Sequence, residues 1–146
     1  MKLSTKGRYG VRMLLDLALH QGEGQRTLKE VSEAQHISQK YMSRLLPKLV
    51  RAGIVKSARG VDGGYQLCKD PSEITFLQIV EVMEGPICLT PCVKDSTCPR
   101  FDICPATDIW KRISGSMREV LAHVTLQDLL DSAKAGCARE TPPEQP

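Results

Sequence analysis

The chain has no apolar run long enough to cross a bilayer. The longest, such as "MLLDLAL", is short and broken by an acid, whereas a spanning helix needs about 20 predominantly apolar residues. The start, "MKLSTKGRYGV", has basic residues but no apolar stretch behind them, so no secretory signal is visible. The expected setting is the cytoplasm, with no membrane. In that reducing compartment clustered cysteines lean toward metal or redox chemistry rather than structural disulfides. No G-x-x-x-x-G-K-[ST] nucleotide loop occurs and no Ser/His/Asp constellation can be placed, so no enzyme is expected. No internal repeat is evident. The 146 residues amount to one ordinary domain with room for an appendage, and can bury a core without disulfides.

What is present is uneven in charge. Residues 1–60 carry twelve Lys or Arg against four Asp or Glu, a balance of +8; residues 61–146 carry eight against thirteen, a balance of −5. A basic front and an acidic back suggest that one half meets a polyanion.

The basic half has a readable order. "RYGVRMLLDLALHQ" places Val11, Leu14, Leu15 and Ala18 on a helical stripe, with Ser4 or Thr5 as cap. "GEGQ" breaks it. Thr27 and Glu30 then have capping-box spacing, with Leu28, Val31 and Ala34 as an inward face. Ser38 caps the next helix, "QKYMSRLLPKLVRA", which Gly53 ends. Two short helices with a tight turn form a helix-turn-helix. The second offers Gln39, Lys40, Ser43 and Arg44 outward, with Tyr41 beside them and Leu45, Leu46, Leu49 and Val50 inward. Pro47 should weaken or kink this helix, after the reading residues. Ile54 to Ala58, the turn "GVDGG" and the return "YQLC" form a hairpin wing with Arg59 near its tip and Lys56 behind it.

In the acidic half, "ITFLQIVEVME" predicts a short buried helix capped by Thr75, with Phe76, Ile79, Val80 and Met83 on one stripe. Gly85-Pro86 stops it. A loop follows with Pro91 and Pro99 inside. Then comes "ATDIWKRISGSMREVLAHV", whose Ile109, Trp110, Ile113, Met117, Val120 and Leu121 form an apolar stripe. Such a stripe outside a compact head favours dimerisation. Thr125 caps a last helix, and the polar, Pro-rich end reads as a disordered tail. The expected parts are a DNA-binding head (1–84), a cysteine-rich cluster loop (85–105), a dimerisation helix with the terminal helix (106–135) and a tail (136–146). The fold class is mostly α: a winged helix-turn-helix with a small hairpin wing and a long C-terminal dimerisation helix.

The loop reads "CLTPCVKDSTCPRFDIC", with Cys88, Cys92, Cys98 and Cys104 spaced C-x3-C-x5-C-x5-C. Zinc knuckles use tight C-x2-4-C pairs, which only the first gap matches, and ferredoxin C-x2-C elements are absent. Dispersed soft thiolates suit iron–sulfur and zinc alike. Spacing therefore favours a metal centre over structural cysteines without choosing the metal. Cys68 is expected to be a small buried residue and Cys137 an exposed tail thiol. His20, His36 and His123 all lie outside the loop.

The stretches "MKLSTKGRYGVRMLLDLA" and "ISQKYMSRLLPKLVRAGIVKSARGVDGGYQL", the C-x5-C-x5-C triple and "VTLQDLL" resemble the IscR/NsrR type of bacterial regulators, the Rrf-two family. The resemblance runs from Met1 to about Asp131. It implies a homodimeric, winged-helix regulator of transcription, a repressor or dual regulator, that binds palindromic double-stranded operator DNA and is tuned by an iron–sulfur cluster. By motif match, Cys92, Cys98 and Cys104 would be cluster ligands. Tyr41 and Arg44 match the recognition-helix region, and Arg59 and Gly60 match the wing. Two positions depart from the family pattern. Thr107 stands where IscR-type members keep a histidine. Arg8 stands where nitric-oxide-sensing members keep a carboxylate, and a guanidinium cannot ligate. Cys88 is the better fourth donor, with Asp108 as the alternative; either a [2Fe–2S] or a [4Fe–4S] cluster suits four thiolates. A zinc- or thiol-based redox sensor with the same DNA-binding head is the other reading.

Overall fold

A computed structural model describes residues 2–61 and 63–136. The expected tail lies outside the described residues, Cys137 with it, except for Gly136, which ends a helix.

Helix α1 (Thr5–Leu19) starts at Ser4, whose hydroxyl accepts from the Lys6 amide. Its buried face holds Met13, Leu14, Leu17 and Ala18. Val11 and Leu15, from the predicted stripe, are only half-buried. Helix α2 (Leu28–Gln35) opens on the expected capping box. The Thr27 hydroxyl accepts from the Glu30 amide at 3.2 Å, and the Glu30 carboxylate accepts from the Thr27 amide at 2.7 Å. Val31 is buried, but Ala34 is exposed. The reason is the end of the helix: His36 adopts a left-handed φ of 52°, so the inward contact passes to buried Ile37 beyond the cap.

Helix α3 (Gln39–Arg51) begins at Ser38, whose hydroxyl accepts from the Tyr41 amide. Leu45, Leu46 and Leu49 are buried, with Met42 beside them. The helix continues through Pro47, at the cost of one hydrogen bond. Strands β1 (Val55–Ala58) and β2 (Gly64–Leu67) pair antiparallel, Val55 opposite Leu67 and Ala58 opposite Gly64. β2 ends on buried Leu67, so the next side chain points the other way. Cys68 is therefore exposed, which corrects its expected burial. A single-residue bridge between Arg26 and Tyr65 covers the outer edge of β2.

A short 3-10 turn (Pro71–Glu73) leads to α4 (Phe76–Glu84), capped by Thr75. Ile79, Val80 and Met83 are buried as predicted. α4 comes closest to α1 at two glycines: a Cβ on Gly7 would sit 2.8 Å from Glu84 Oε1, and one on Gly10 2.9 Å from Met83 Cγ. The Glu84 carboxylate in turn accepts from the Ser4 hydroxyl and from the amides of Ser4 and Gly7, both at 3.0 Å. The cysteine stretch is not loop throughout. Pro91 occupies a first-turn position of a short helix, α5 (Pro91–Asp95), which ends in left-handed Ser96.

Helix α6 (Ala106–His123) leaves the head and buries only Thr107 and Ser114. Helix α7 (Leu126–Gly136) returns to it. The Leu126 amide donates to the Ile74 carbonyl and the Phe76 amide to the Val124 carbonyl, each at 2.8 Å. Leu126 and Leu130 join the same core as Leu14, Met42, Leu49 and Ile79.

Candidate DNA interface and cysteine site

The sequence predicted an outward face on α3, and Gln39, Lys40, Ser43 and Arg44 are all exposed. They follow from the pattern of the helix, whose leucines face the core. The Ser43 hydroxyl donates to the Lys40 carbonyl at 2.7 Å, so toward a partner it offers an acceptor. Tyr41 is half-buried and meets Tyr9 edge-on, ring centres 5.7 Å apart. The Arg12 guanidinium lies 5.5 Å from the Tyr9 ring centre and donates to the Gln35 carbonyl at the helix-turn-helix turn. Thr5, Tyr9, His36, Ile37, Ser38 and Tyr41 line a shallow hollow at the start of α3.

At the wing tip Arg59, Gly60 and Val61 are exposed, Val61 completely. Gly60 has a φ of 116°, and the Gly63 amide closes the turn onto its carbonyl at 3.0 Å. A Cβ on Gly63 would lie 2.6 Å from the Ala58 carbonyl oxygen, so this turn requires glycine there.

The four loop thiols are half-buried and unpaired. Cys92 lies in α5, with its sulfur 3.1 Å from the Thr90 hydroxyl. Cys98 follows α5, and the Phe101 amide donates to its carbonyl. Cys88 precedes α5, and its thiol is 3.8 Å from the Pro86 carbonyl. Cys104 stands at the start of α6, with Pro105 already helical at φ −62° and ψ −24°. Its thiol is held below the usual range, chiefly by the Ala106 amide. Burial opposes this, while the Thr107 amide and the Arg100 charge add to it. Such a helix start stabilises thiolate.

The structure does not bring these donors into a cage. Among the described residues no three His, Cys, Asp or Glu are gathered closely enough to hold a metal ion. In kind the donors fit a soft metal centre: four thiols, one of them already biased toward thiolate. Thr107 is buried and directs its hydroxyl to the Phe101 carbonyl at 3.2 Å, and Arg8 is exposed with a contact to Thr5. Asp108 is exposed in the first turn of α6.

Both ends of the loop are fastened to α6. Ser114 Oγ accepts from the Leu89 amide at 3.1 Å, and the Cys104 carbonyl accepts from the Thr107 amide at 3.1 Å. Glu81 of α4 accepts from the Ile87 amide at 3.4 Å and from Arg118 of α6.

The Rrf2 family model, described as an iron-dependent transcriptional regulator, matches residues 3–132. The chain belongs to the Rrf2 family. It is similar to the transcriptional regulator CymR of Bacillus subtilis, with 41% identity over 130 residues, 88% of this chain and 89% of that protein. It is 36% identical to IscR of Photorhabdus laumondii over 132 residues, 90% of this chain and 80% of that protein. Among solved structures, T. potens IscR superposes with a TM-score of 0.77 at 38% identity, covering 97% of this chain and 93% of that one. CymR, titled the global cysteine regulator of B. subtilis, superposes at 0.75 and 38% identity, covering 90% and 98%. This Rrf2 protein is thus a winged-helix, DNA-binding transcriptional regulator and not an enzyme.

Two groups escaped the sequence reading. The hollow around Tyr9 and His36 joins residues from separate elements, and no spacing announces it. Asp16 is different: its side chain is only 2% exposed and pairs with Arg26. An acid inside "MLLDLAL" was a visible signal that a cation must meet it.

Proposed function

We propose that this Rrf2 regulator binds palindromic operator DNA as a homodimer and that an iron–sulfur cluster tunes the binding. The observation that supports the cluster is the donor set: four unpaired, half-buried thiols in one loop, with Cys104 at the start of the helix that projects from the head. Cys92, Cys98 and Cys104 would hold the cluster, with Cys88 as fourth donor ahead of Asp108. A bound cluster supplies a change of charge and redox state at this loop. The chain's own part is to fasten the loop to α6 through Ser114 and to α4 through Glu81, so that order in the loop is tied to the setting of both helices.

On DNA, Gln39, Lys40, Tyr41, Ser43 and Arg44 face the major groove, and Arg59 with Gly60 meets the flanking backbone or minor groove. The exposed apolar face of α6 pairs with its copy. Ile113 and Val120 are 40% and 63% exposed there, and Met117 and Leu121 line the same groove. A two-fold dimer then reads two half-sites about one helical turn apart.

A second reading is favoured by the same Cys104 and by the separation of the thiols: a thiol-based redox regulator, or a zinc-based one, with the same head. Absorption and Mössbauer spectra of anaerobically isolated protein decide between them. Iron and sulfide with thiolate-to-iron absorption support the cluster; colourless protein without iron overturns it. Equal cluster content in Cys88→Ala and Cys68→Ala would remove Cys88 from the site. For the DNA surface, Arg44→Ala and Arg59→Ala should each cost about 1–3 kcal/mol where they contact a base. Unchanged affinity and salt dependence would refute the surface.

A further inference from the structure

We propose that Asp16 and Arg26 form an anchor that sets the wing's position relative to the recognition helix, making them positioning residues for operator reading. The inference rests on the wing being part of the DNA surface.

The hairpin is held on one side by its own chain. β1 follows α3 directly, with the Ile54 amide on the Leu49 carbonyl and the Cys68 amide on the Ile54 carbonyl. Buried Val55 and Leu67 seat the base of the hairpin in the core, and what remains to be set is the direction of its outer edge. Arg26 fixes it. The Arg26 amide donates to the Tyr65 carbonyl at 2.9 Å, and the Tyr65 amide donates back at 2.8 Å. Gly64 permits the approach, since a Cβ there would lie 2.6 Å from the Arg26 carbonyl oxygen.

Arg26 is in turn held by α1. Its Nε meets Asp16 Oδ2 at 3.0 Å and its Nη2 meets Asp16 Oδ1 at 3.1 Å. This two-pronged pairing fixes direction as well as distance. Glu30, which caps α2, lies 3.9 Å from Arg26 Nη1, and His20 lies 3.8 Å from Asp16 Oδ2. One buried carboxylate thus ties together α1, the first helix of the helix-turn-helix and the return strand of the wing. Apolar contact alone holds surfaces together but does not fix an angle, because it is non-directional. The segment between Gly24 and Thr27 has no helix or long strand of its own, so beyond the backbone bonds to Tyr65 this pairing is what ties Arg26 to α1.

The test uses Asp16→Asn in the full chain, with the double variant Asp16→Leu/Arg26→Met as a second background. The double variant removes both charges together, a replacement that buried pairs often tolerate. Hydrogen exchange of residues 55–58 and 64–67 should quicken about tenfold while α3 is unchanged, the sign of local rather than global opening. Operator titrations with and without Arg59→Ala then form a cycle. In the parent protein Arg59→Ala should cost about tenfold in affinity; in either anchor variant the cost should fall below about twofold. Unchanged exchange, or an Arg59→Ala cost equal in all backgrounds, overturns the anchor. If Arg59→Ala is silent in the parent, the wing's part in DNA reading falls instead, and the exchange result still decides whether Asp16 holds the hairpin.

Discussion

Leu126→Ala tests whether α7 is structural to the head rather than an appendage of the projecting helix. Leu126 is fully buried and shares the core with Leu14, Met42 and Leu49. The substitution removes three buried carbons. At about 0.8 kcal/mol per carbon the transfer loss is roughly 2.4 kcal/mol. The cavity left behind adds to it, so a total of about 3–4 kcal/mol is expected, within the usual range for such changes. At about 2–4 °C per kcal/mol for a chain of this size, Tm should fall by roughly 6–16 °C. Thermal denaturation of the metal-free protein followed by circular dichroism measures it, and operator binding should weaken in step. A fall below about 2 °C would refute the reasoning, because the head would then be complete without α7.

Three other outcomes are expected. Ile113→Asp should shift the α6 apolar face from dimer to monomer in analytical ultracentrifugation while the helical content holds; a variant that stays dimeric at micromolar concentration removes that face from the interface. Brief alkylation of metal-free protein near neutral pH should label Cys104 ahead of Cys92 and Cys98 in a mass map, because the Ala106 amide at the start of α6 favours its thiolate; equal labelling of the three would refute that bias. Acid stability should depend on Glu84. Burial alone would raise this carboxyl, but the Ser4 hydroxyl, the Gly7 and Ser4 amides and the Lys6 charge together hold it below its ordinary value. A depressed folded-state carboxyl stabilises above its unfolded pKa, near 4.3, and the stabilisation is lost as pH falls through and below that value. Glu84→Gln should therefore lose stability at pH 7 and show a flatter decline into acid in thermal melts; parallel melting profiles would contradict this.

The local grammar of the head was legible in the sequence. Thr27 with Glu30, Ser38, Thr75 and the glycine turn after Arg59 each have short-range chemistry that determines local geometry without help from afar. The exposed face of α3 followed because its leucines repeat at helical spacing. Ala34 was misread because periodicity does not say where a helix stops, and His36 stops this one in a conformation that no pattern of apolar residues encodes. Cys68 was misread because its side of the strand depends on where pairing ends. α5 was hidden inside a segment whose two prolines read as loop, although proline at a first helical position is compatible with a helix. The return of α7 was out of reach, since it depends on backbone bonds between Ile74 and Leu126. The cysteine spacing was legible as chemistry but not as geometry: the chain alone places Cys92, Cys98 and Cys104 on three different local elements.

The bridge between Thr75 and Thr125 makes the winged head discontinuous along the chain. Residues up to Glu84 and residues from Thr125 onward close one core, and everything between leaves and re-enters at neighbouring points. During synthesis, the side chains behind the recognition helix lack Leu126 and Leu130 until α7 has emerged. A fragment stopped within α6 therefore has every residue proposed to face DNA but not the packing that holds them in place. Competence to read an operator arrives only once α7 has emerged, after the cysteine stretch is already outside the ribosome.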